Sequence, residues 1–189
     1  MRIITGKAKG VRLKTLEGDA TRPTSERVKE SVFSMIQFDI EGRTVLDLFS
    51  GSGQLALEAL SRGAKSSTLV DKSKEAIAII KENVNKTHLN EFCTVYQSDY
   101  LDFLKRNVGQ QYDIVFLDPP YSQKMYAPAL KAMLENSVLK PTSIIICESD
   151  SETVFDGDTV LESKFEIEKQ SKYSKTYITI FKLKNYKEQ

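Results

Sequence analysis

The sequence predicts an α/β protein built on a mostly parallel sheet, with one strand near the C-terminal end running antiparallel. Three observations predict it. Short apolar runs alternate with segments of helical periodicity between residues 44 and 147. Those runs are apolar on both faces, as strands covered by helices on each side must be. The last stretch then breaks the rhythm, because Phe165-Glu166-Ile167-Glu168 and residues 177–183 are alternating strands with only a polar turn between them, the pattern of a hairpin.

Taken in order, residues 1–20 form a basic N-terminal arm, expected as a β-hairpin. Arg2, Lys7, Lys9, Arg12 and Lys14 fall within its first fourteen residues, which hold no acid. Residues 21–38 follow as an amphipathic helix with Val28, Val32, Met35 and Ile36 on one side. The core, 42–189, opens with the apolar strand 44–48, which ends at glycines. Leu55, Leu57, Ala59 and Leu60 then keep helical spacing until Gly63 stops them. After a second strand at 67–71, Ala76, Ile77, Ile79, Ile80 and Val84 form the apolar stripe of another helix. Strand-like runs recur at 93–97, 114–117 and 144–147, with helical segments around 100–106 and 126–136. No repeat, low-complexity tract or proline- and glycine-rich linker divides the chain, so 1–189 reads as a single domain.

Composition excludes several functions. Lysine and arginine number 27 against 26 aspartates and glutamates, a formal net charge of +1. A nucleic-acid partner must therefore be met by a local basic patch rather than by bulk charge. Cys93 and Cys147 are too few for a disulfide framework or a four-ligand zinc site, so no metal is expected. Both lie in apolar runs, as small buried hydrophobes do, which favours a reducing, cytoplasmic setting. No apolar stretch approaches the roughly 18 residues of a membrane span, and the first residues lack a signal peptide's hydrophobic region. His88 is the only histidine and sits at the polar end of a helix, as a solvated or capping residue would, which removes Ser/His/Asp hydrolase schemes.

Chemistry concentrates in three places. In Asp47-Leu48-Phe49-Ser50-Gly51-Ser52-Gly53, a strand leads through glycines into a helix. Such a turn lets backbone approach a ligand closely and presents free N–H groups at the helix start. Gly51-x-Gly53-x-x-Ala56 fits the dinucleotide fingerprint, with Asp71 ending the next strand where an acid would hold a ribose. Asp47, however, stands where a pyrophosphate would pass. An anion there repels phosphate and suits the cationic methionine part of S-adenosylmethionine. The terminal hairpin also differs from the second nucleotide-binding half of an NAD domain.

The second place is Ser98-Asp99-Tyr100, after the third strand. Asp99 can accept from an adenine amino group while Tyr100 or Leu101 covers the ring, and it can equally cap the next helix. The third is Asp118-Pro119-Pro120-Tyr121, after the apolar strand 113–117. Two prolines fix the backbone and remove two N–H donors, so the Asp118 carboxylate and the Pro119 carbonyl form an acceptor pair for an –NH2 group. Tyr121 offers a flat face to a planar base. Acceptors on both hydrogens of a base amine favour its pyramidal form and free the lone pair for a methyl group.

These motifs resemble those of class I S-adenosylmethionine-dependent amino-methyltransferases. Arg2-Ile3-Ile4-x-Gly6-x-x-x-Gly10, then Thr21-Arg22-Pro23-Thr24-Ser25-Glu26-Arg27 and Leu57-Glu58-Ala59-Leu60-Ser61-Arg62-Gly63-Ala64, narrow the resemblance. Over essentially the whole chain they are similar to the bacterial RsmD family, guanine-N2 methyltransferases acting at guanine 966 of 16S rRNA. The resemblance implies a Rossmann-like, seven-stranded α/β methyltransferase fold with an antiparallel last strand, an N-terminal β-hairpin and a helix. It implies S-adenosylmethionine as cofactor, held by Asp47, Ser50, Gly51, Ser52, Gly53, Asp71, Lys72, Asp99 and Tyr100, with Arg22 and Thr24 closing its methionine end. Asp118, Pro119, Pro120 and Tyr121 would hold the target guanine. Arg2, Lys7, Lys9, Arg12 and Lys14 would grip phosphates beside the pocket. The expected partner is 16S rRNA within a partly or fully assembled small ribosomal subunit, met by a monomer with no membrane contact. The family often has glutamate at Asp71 and a small residue at Gln54. The alternatives are a DNA adenine-N6 or other nucleic-acid amino-methyltransferase, and a non-catalytic nucleotide-binding regulator.

Overall fold

The computed structural model describes residues 1–16, 26–120 and 124–184. Its sheet is built from β1 (Thr44–Asp47), β2 (Ser66–Asp71), β3 (Cys93–Gln97), β4 (Tyr112–Leu117), β5 (Leu139–Ser149), β6 (Phe165–Tyr173) and β7 (Thr176–Leu183). The spatial order is β3-β2-β1-β4-β5-β7-β6. β1 to β5 pair in parallel, and β7 inserts antiparallel between β5 and β6. The chain thus works outward from β1 to β3 and then returns to place β4 on the other side of β1. That reversal opens a crevice at the carboxyl ends of β1 and β4.

Alternate strand residues feed two cores, as the period of two requires. Val45, Leu69, Phe116, Ile146 and Ile180 face α1 (Glu26–Met35), α2 (Gln54–Ser61) and α3 (Lys74–Thr87). Leu46, Val70, Val115, Cys147 and Phe181 face α4 (Tyr100–Arg106), α5 (Tyr126–Glu135) and α6 (Thr159–Ser163). Ser73 and Asp99 start α3 and α4 by accepting from the backbone N–H of Ala76 and Leu101. His88 closes α3 as an exposed, left-handed C-cap.

Several elements differ from those the sequence predicts. The helix expected over 21–38 stops at Met35 because the chain turns there, with the Asp39 N–H donating to the Ile36 carbonyl; residues 17–25 lie outside the described residues. β5 and β6 run several residues beyond their apolar stretches. α6 has no counterpart in the sequence reading, since a five-residue helix offers barely one turn of periodicity. Among the described residues no helix is long and apolar enough to cross a membrane.

The arm is packed against the body. Ile3, Ala8 and Leu13 are buried in the core of α1, α2 and α3, and Arg2 bridges Arg12 antiparallel. Gly6 passes so close to α2 that a Cβ there would overlap the Ser61 carbonyl. Glu58, wholly buried on α2, accepts from the N–H groups of Ile4 and Thr5 at 2.7 and 3.0 Å. The same carboxylate pairs with Lys29 on α1 at 3.3 Å and with Arg62 at 2.8 Å. Lys29 in turn donates to the Arg2 carbonyl.

Removing one partner of a buried ion pair leaves the other uncompensated, at about 3–5 kcal/mol. Glu58→Ala is therefore expected to lower unfolding free energy by that amount in urea titrations. The double change Lys29→Met with Glu58→Leu is expected to lose clearly less. Equal losses would show that the stranded ammonium is not the cause.

Candidate active site

Two loops leave neighbouring parallel strands at the same edge of the sheet. Asp47 of β1 is paired in register with Phe116 of β4, so the glycine turn and the Asp118 loop start side by side, about 4.8 Å apart. The Leu48 N–H extends the pairing by donating to the Phe116 carbonyl.

Ser50 ties the glycine turn to β2. Its N–H donates to the Val70 carbonyl, while its Oγ accepts from the Val70 N–H and donates to the Asp47 carbonyl. Gly51 and Gly53 both adopt left-handed φ, 53° and 78°. A Cβ on Gly53 would press against the Leu69 Cδ2 at 3.0 Å, whereas one on Gly51 would meet no other described residue within 4 Å. The left-handed φ at Gly53 and the nearby Leu69 methyl both disfavour a side chain there, and Gly51 leaves the adjacent side uncrowded by described residues. Asp71 holds the turn from β2, its Oδ2 accepting from the Gly51 N–H at 2.9 Å and its Oδ1 from the Ser73 N–H at 2.8 Å. Each oxygen keeps a further lone pair. Lys72 beside it is exposed, and Ser52 is half-buried.

Asp47 is almost fully buried. Burial pushes its carboxyl up from 3.8 to about 7, Asp71 adds repulsion, and the Ala56 N–H, the Ser50 hydroxyl and the Phe49 N–H oppose the shift. Among the described residues its Oδ2 has no hydrogen-bond partner, and neither does the buried Oε1 of Gln54, the residue that follows Gly53. Two orphaned acceptors flank the start of α2, an arrangement that awaits donors or positive charge.

On the far side of β2, Asp99 caps α4 through an Oδ1 that accepts from the Leu101 N–H. Tyr100 is largely buried, its ring 5.1 Å from that of Phe49. Phe49 belongs to the glycine turn, and this aromatic pair was not singled out in the sequence. At the end of β4, Asp118 is half-buried, Pro119 buried and Pro120 exposed. The Tyr126 hydroxyl donates to the Glu148 carbonyl and so braces α5 against the end of β5 beside this loop. Tyr121, Arg22 and Thr24 lie outside the described residues.

Asn83 is the polar residue the sequence reading missed. Wholly buried on α3, it accepts from the Lys14 N–H at 2.8 Å and donates to the Lys14 and Ser52 carbonyls, both at 2.9 Å. It therefore joins the end of the arm to the glycine turn. An amide three residues after Ile80, beside the apolar Val84, was the available signal.

The arm's cations are dispersed. Lys14 lies near the glycine turn and is paired with Glu82, and Arg2 is paired with Glu26. Lys7 is fixed through its N–H to the Ser61 carbonyl, at the far end of α2 and roughly 12 Å from the glycine turn, with Lys9 in the same turn. A shallow depression lined by Lys81, Val84, Asn85, Asn90, Cys93 and Val95 lies between α3 and β3, away from both loops. Burial raises the Cys93 thiol to about 12, so it offers no nucleophile. Among the described residues no group of three or more His, Cys, Asp or Glu is placed to hold a metal ion.

The family model described as "Conserved hypothetical protein 95" matches residues 1–182. The Haemophilus influenzae protein named "Ribosomal RNA small subunit methyltransferase D" is 37% identical over 154 residues, covering 80% of each chain. The chain belongs to the RsmD family. A Bacillus subtilis member, named as a candidate rRNA methyltransferase, is 37% identical over 189 residues, covering 96% of this chain and 98% of its own. Among solved structures, a methyltransferase candidate from Escherichia coli superposes with a TM-score of 0.84 at 28% identity, covering 97% of both chains. As an RsmD-family protein the chain is an S-adenosylmethionine-dependent methyltransferase.

The raised Asp47 carboxyl makes stability depend on pH. The unfolded chain ionises this group near 3.8 and the folded protein near 7, so the folded state holds the extra proton between those values. Its contribution to stability is then present below about pH 4 and is lost as pH rises to 7. Asp47→Asn is expected to stabilise the ligand-free protein by up to about 4 kcal/mol at pH 8 and hardly at all at pH 4. Calorimetric melting at the two pH values checks this; equal shifts at both would rule out a buried charge.

Proposed function

We propose that this chain transfers the methyl group of S-adenosylmethionine to the exocyclic N2 of a guanine in small-subunit ribosomal RNA, of the guanine 966 type. The observation that carries this reading is the in-register pairing of Asp47 with Phe116, which sets the Asp118-Pro119-Pro120 loop beside the glycine turn. The relatives' names support the RNA of the small subunit as the substrate class.

The residues at the glycine turn fit the cofactor. The side of Gly51 left uncrowded by described residues gives it room, and the orphaned oxygens of Asp47 and Gln54 await a cation or donors. Asp71 would hold the ribose hydroxyls with its remaining lone pairs. Asp99 and Tyr100, with Phe49, would border the adenine, while Ser50, Ser52, Gly53 and Lys72 complete the turn. The sequence adds Arg22 and Thr24 at the methionine end. When bound, S-adenosylmethionine supplies a methyl group already activated for transfer by its sulfonium.

The chain's own part is to hold the amine. The Asp118 carboxylate and the Pro119 carbonyl accept its two N–H groups, which frees the nitrogen lone pair from the ring. Neither proline contributes an N–H that would compete for that lone pair. Positive charge would grow on the nitrogen as its bond to the methyl carbon replaces that carbon's bond to sulfur. The Asp118 carboxylate would stabilise this charge until one of the two amine protons leaves, by way of that carboxylate or directly to water, to give the neutral methylamine. Tyr121 supplies the stacking face, and the target base must leave its stack to reach it. Arg2, Arg12 and Lys14 are read as phosphate contacts at the site end of the arm, with Lys7 and Lys9 reaching RNA farther from the pocket.

Labelled S-adenosylmethionine offered with 16S rRNA, assembled small subunits, tRNA and duplex DNA tests the reading. Label on N2 of one guanine in the small-subunit RNA is expected by mass mapping; label on adenine or on DNA refutes it. Asp118→Ala is expected to lower kcat by about 10²-fold or more while S-adenosylmethionine affinity by calorimetry stays within a few-fold. Parallel loss of both would remove Asp118 from the amine-holding role.

A further inference from the structure

The turn joining β6 and β7 stands on the same edge of the sheet as the Asp118 loop. Leu117 is paired with Cys147, and Cys147 with Thr179. One residue onward, Asp118 is level with Glu148 and Ile178; one further, Pro119 is level with Ser149 and Tyr177. Lys172 lies opposite Tyr177 on β6. At about 4.8 Å per strand, Tyr177 and Lys172 stand roughly 10 and 14 Å to the side of Pro119. The two turn residues, Ser174 and Lys175, extend beyond that level. The glycine turn lies on the opposite flank of β4, so the hairpin tip and the glycine turn stand on either side of the Asp118 loop.

Its chemistry suits such a neighbour. Residues 169–177 carry three lysines and two tyrosines and no acid. Charge is segregated along the hairpin. Glu166 and Glu168 sit toward its other end, where Lys182 neutralises Glu168 at 2.9 Å. At the tip, Lys172 and Lys175 are both exposed, and neither forms a salt bridge among the described residues. The Lys172 ammonium rests over the Tyr177 ring, 4.8 Å from its centroid, and is thereby held in place without being neutralised. Glu152 adds one acid near Lys172, while Gln170 braces the hairpin by donating to the Glu152 carbonyl and the Thr179 hydroxyl. Lys169 is engaged with the Met35 carbonyl. Arg2 and Lys14 of the arm, by contrast, are each paired with a glutamate.

We propose that the β6–β7 hairpin tip is a second RNA-binding surface, in which Lys172 and Lys175 contact backbone phosphates flanking the target nucleotide and Tyr177 holds Lys172 in position. The inference rests on the RNA substrate proposed above.

The double reversal Lys172→Glu with Lys175→Glu tests it, with assembled small subunits as substrate and the full chain as enzyme. KM for the subunit is expected to rise at least ten-fold, and the log–log salt dependence of binding to become shallower by about 1.4, for two phosphate contacts on single-stranded RNA. The kcat at saturating subunit, the S-adenosylmethionine affinity and the melting temperature are expected to stay as in the wild type, and arginine at both positions to restore KM. Unchanged KM overturns the inference. A raised KM with an unchanged salt slope overturns it too, since it would mark a protein rather than a phosphate contact. Should the wild-type enzyme methylate no RNA or subunit, the proposed function itself falls; an active wild type with an unaffected variant removes only the hairpin.

Discussion

The pairing of β1 with β4 governs what this molecule can do. Because Asp47 and Phe116 are neighbours in register, the chain leaves both strands at one level of the sheet, and two loops seventy residues apart in sequence border a single crevice. The hydrogen bonds of Ser50 and Asp71 then fix the glycine turn to β2, so one wall of the crevice is held by bonds to the neighbouring strand. Parallel neighbours bonded along their length leave little freedom for either loop to slide.

This rigidity has an electrostatic consequence. Asp47 is enclosed at the root of the turn, where burial resists its ionisation and Asp71 adds to the resistance. An apolar side chain would be easier to bury there. A buried carboxyl oxygen without a partner among the described residues stores unfavourable energy, and the neighbouring Oε1 of Gln54 is in the same condition. The strain is local and is held by a well-packed surround.

The arm is joined to the rest through two buried polar residues. Glu58 gathers backbone from the arm and cations from α1 and α2, and Asn83 clasps Lys14 to the glycine turn. Each makes three or more polar contacts, which is what permits polar groups so deep in a core. The arm is consequently part of the packed body, and its cations are spread along α2 and partly neutralised. In a chain of formal charge +1, the exposed lysines at the β6–β7 tip therefore weigh more than their number suggests.

Local chemistry made much of this legible in advance. Strands apolar on both faces can only be covered strands, Gly51 and Gly53 mark a turn that requires left-handed backbone, and two prolines after a buried strand limit what Asp118 can face. Periodicity of this kind is written within a dozen residues, so the strands, the helix stripes of α2 and α3 and the capping of α3 at His88 were readable from the amino acids alone. What only the folded chain decided depends on which distant residues meet. Glu58 reads as an ordinary helix-surface glutamate until Lys29 and the backbone of Ile4 arrive beside it. Lys7 and Lys172 look alike as lysines in basic stretches. Docking of the arm on Ser61 carries the first to the far end of α2, and insertion of β7 beside β5 brings the second level with the end of β4. Strand order and register are set by the summed burial of the whole sheet, and no local stretch of sequence contains that sum.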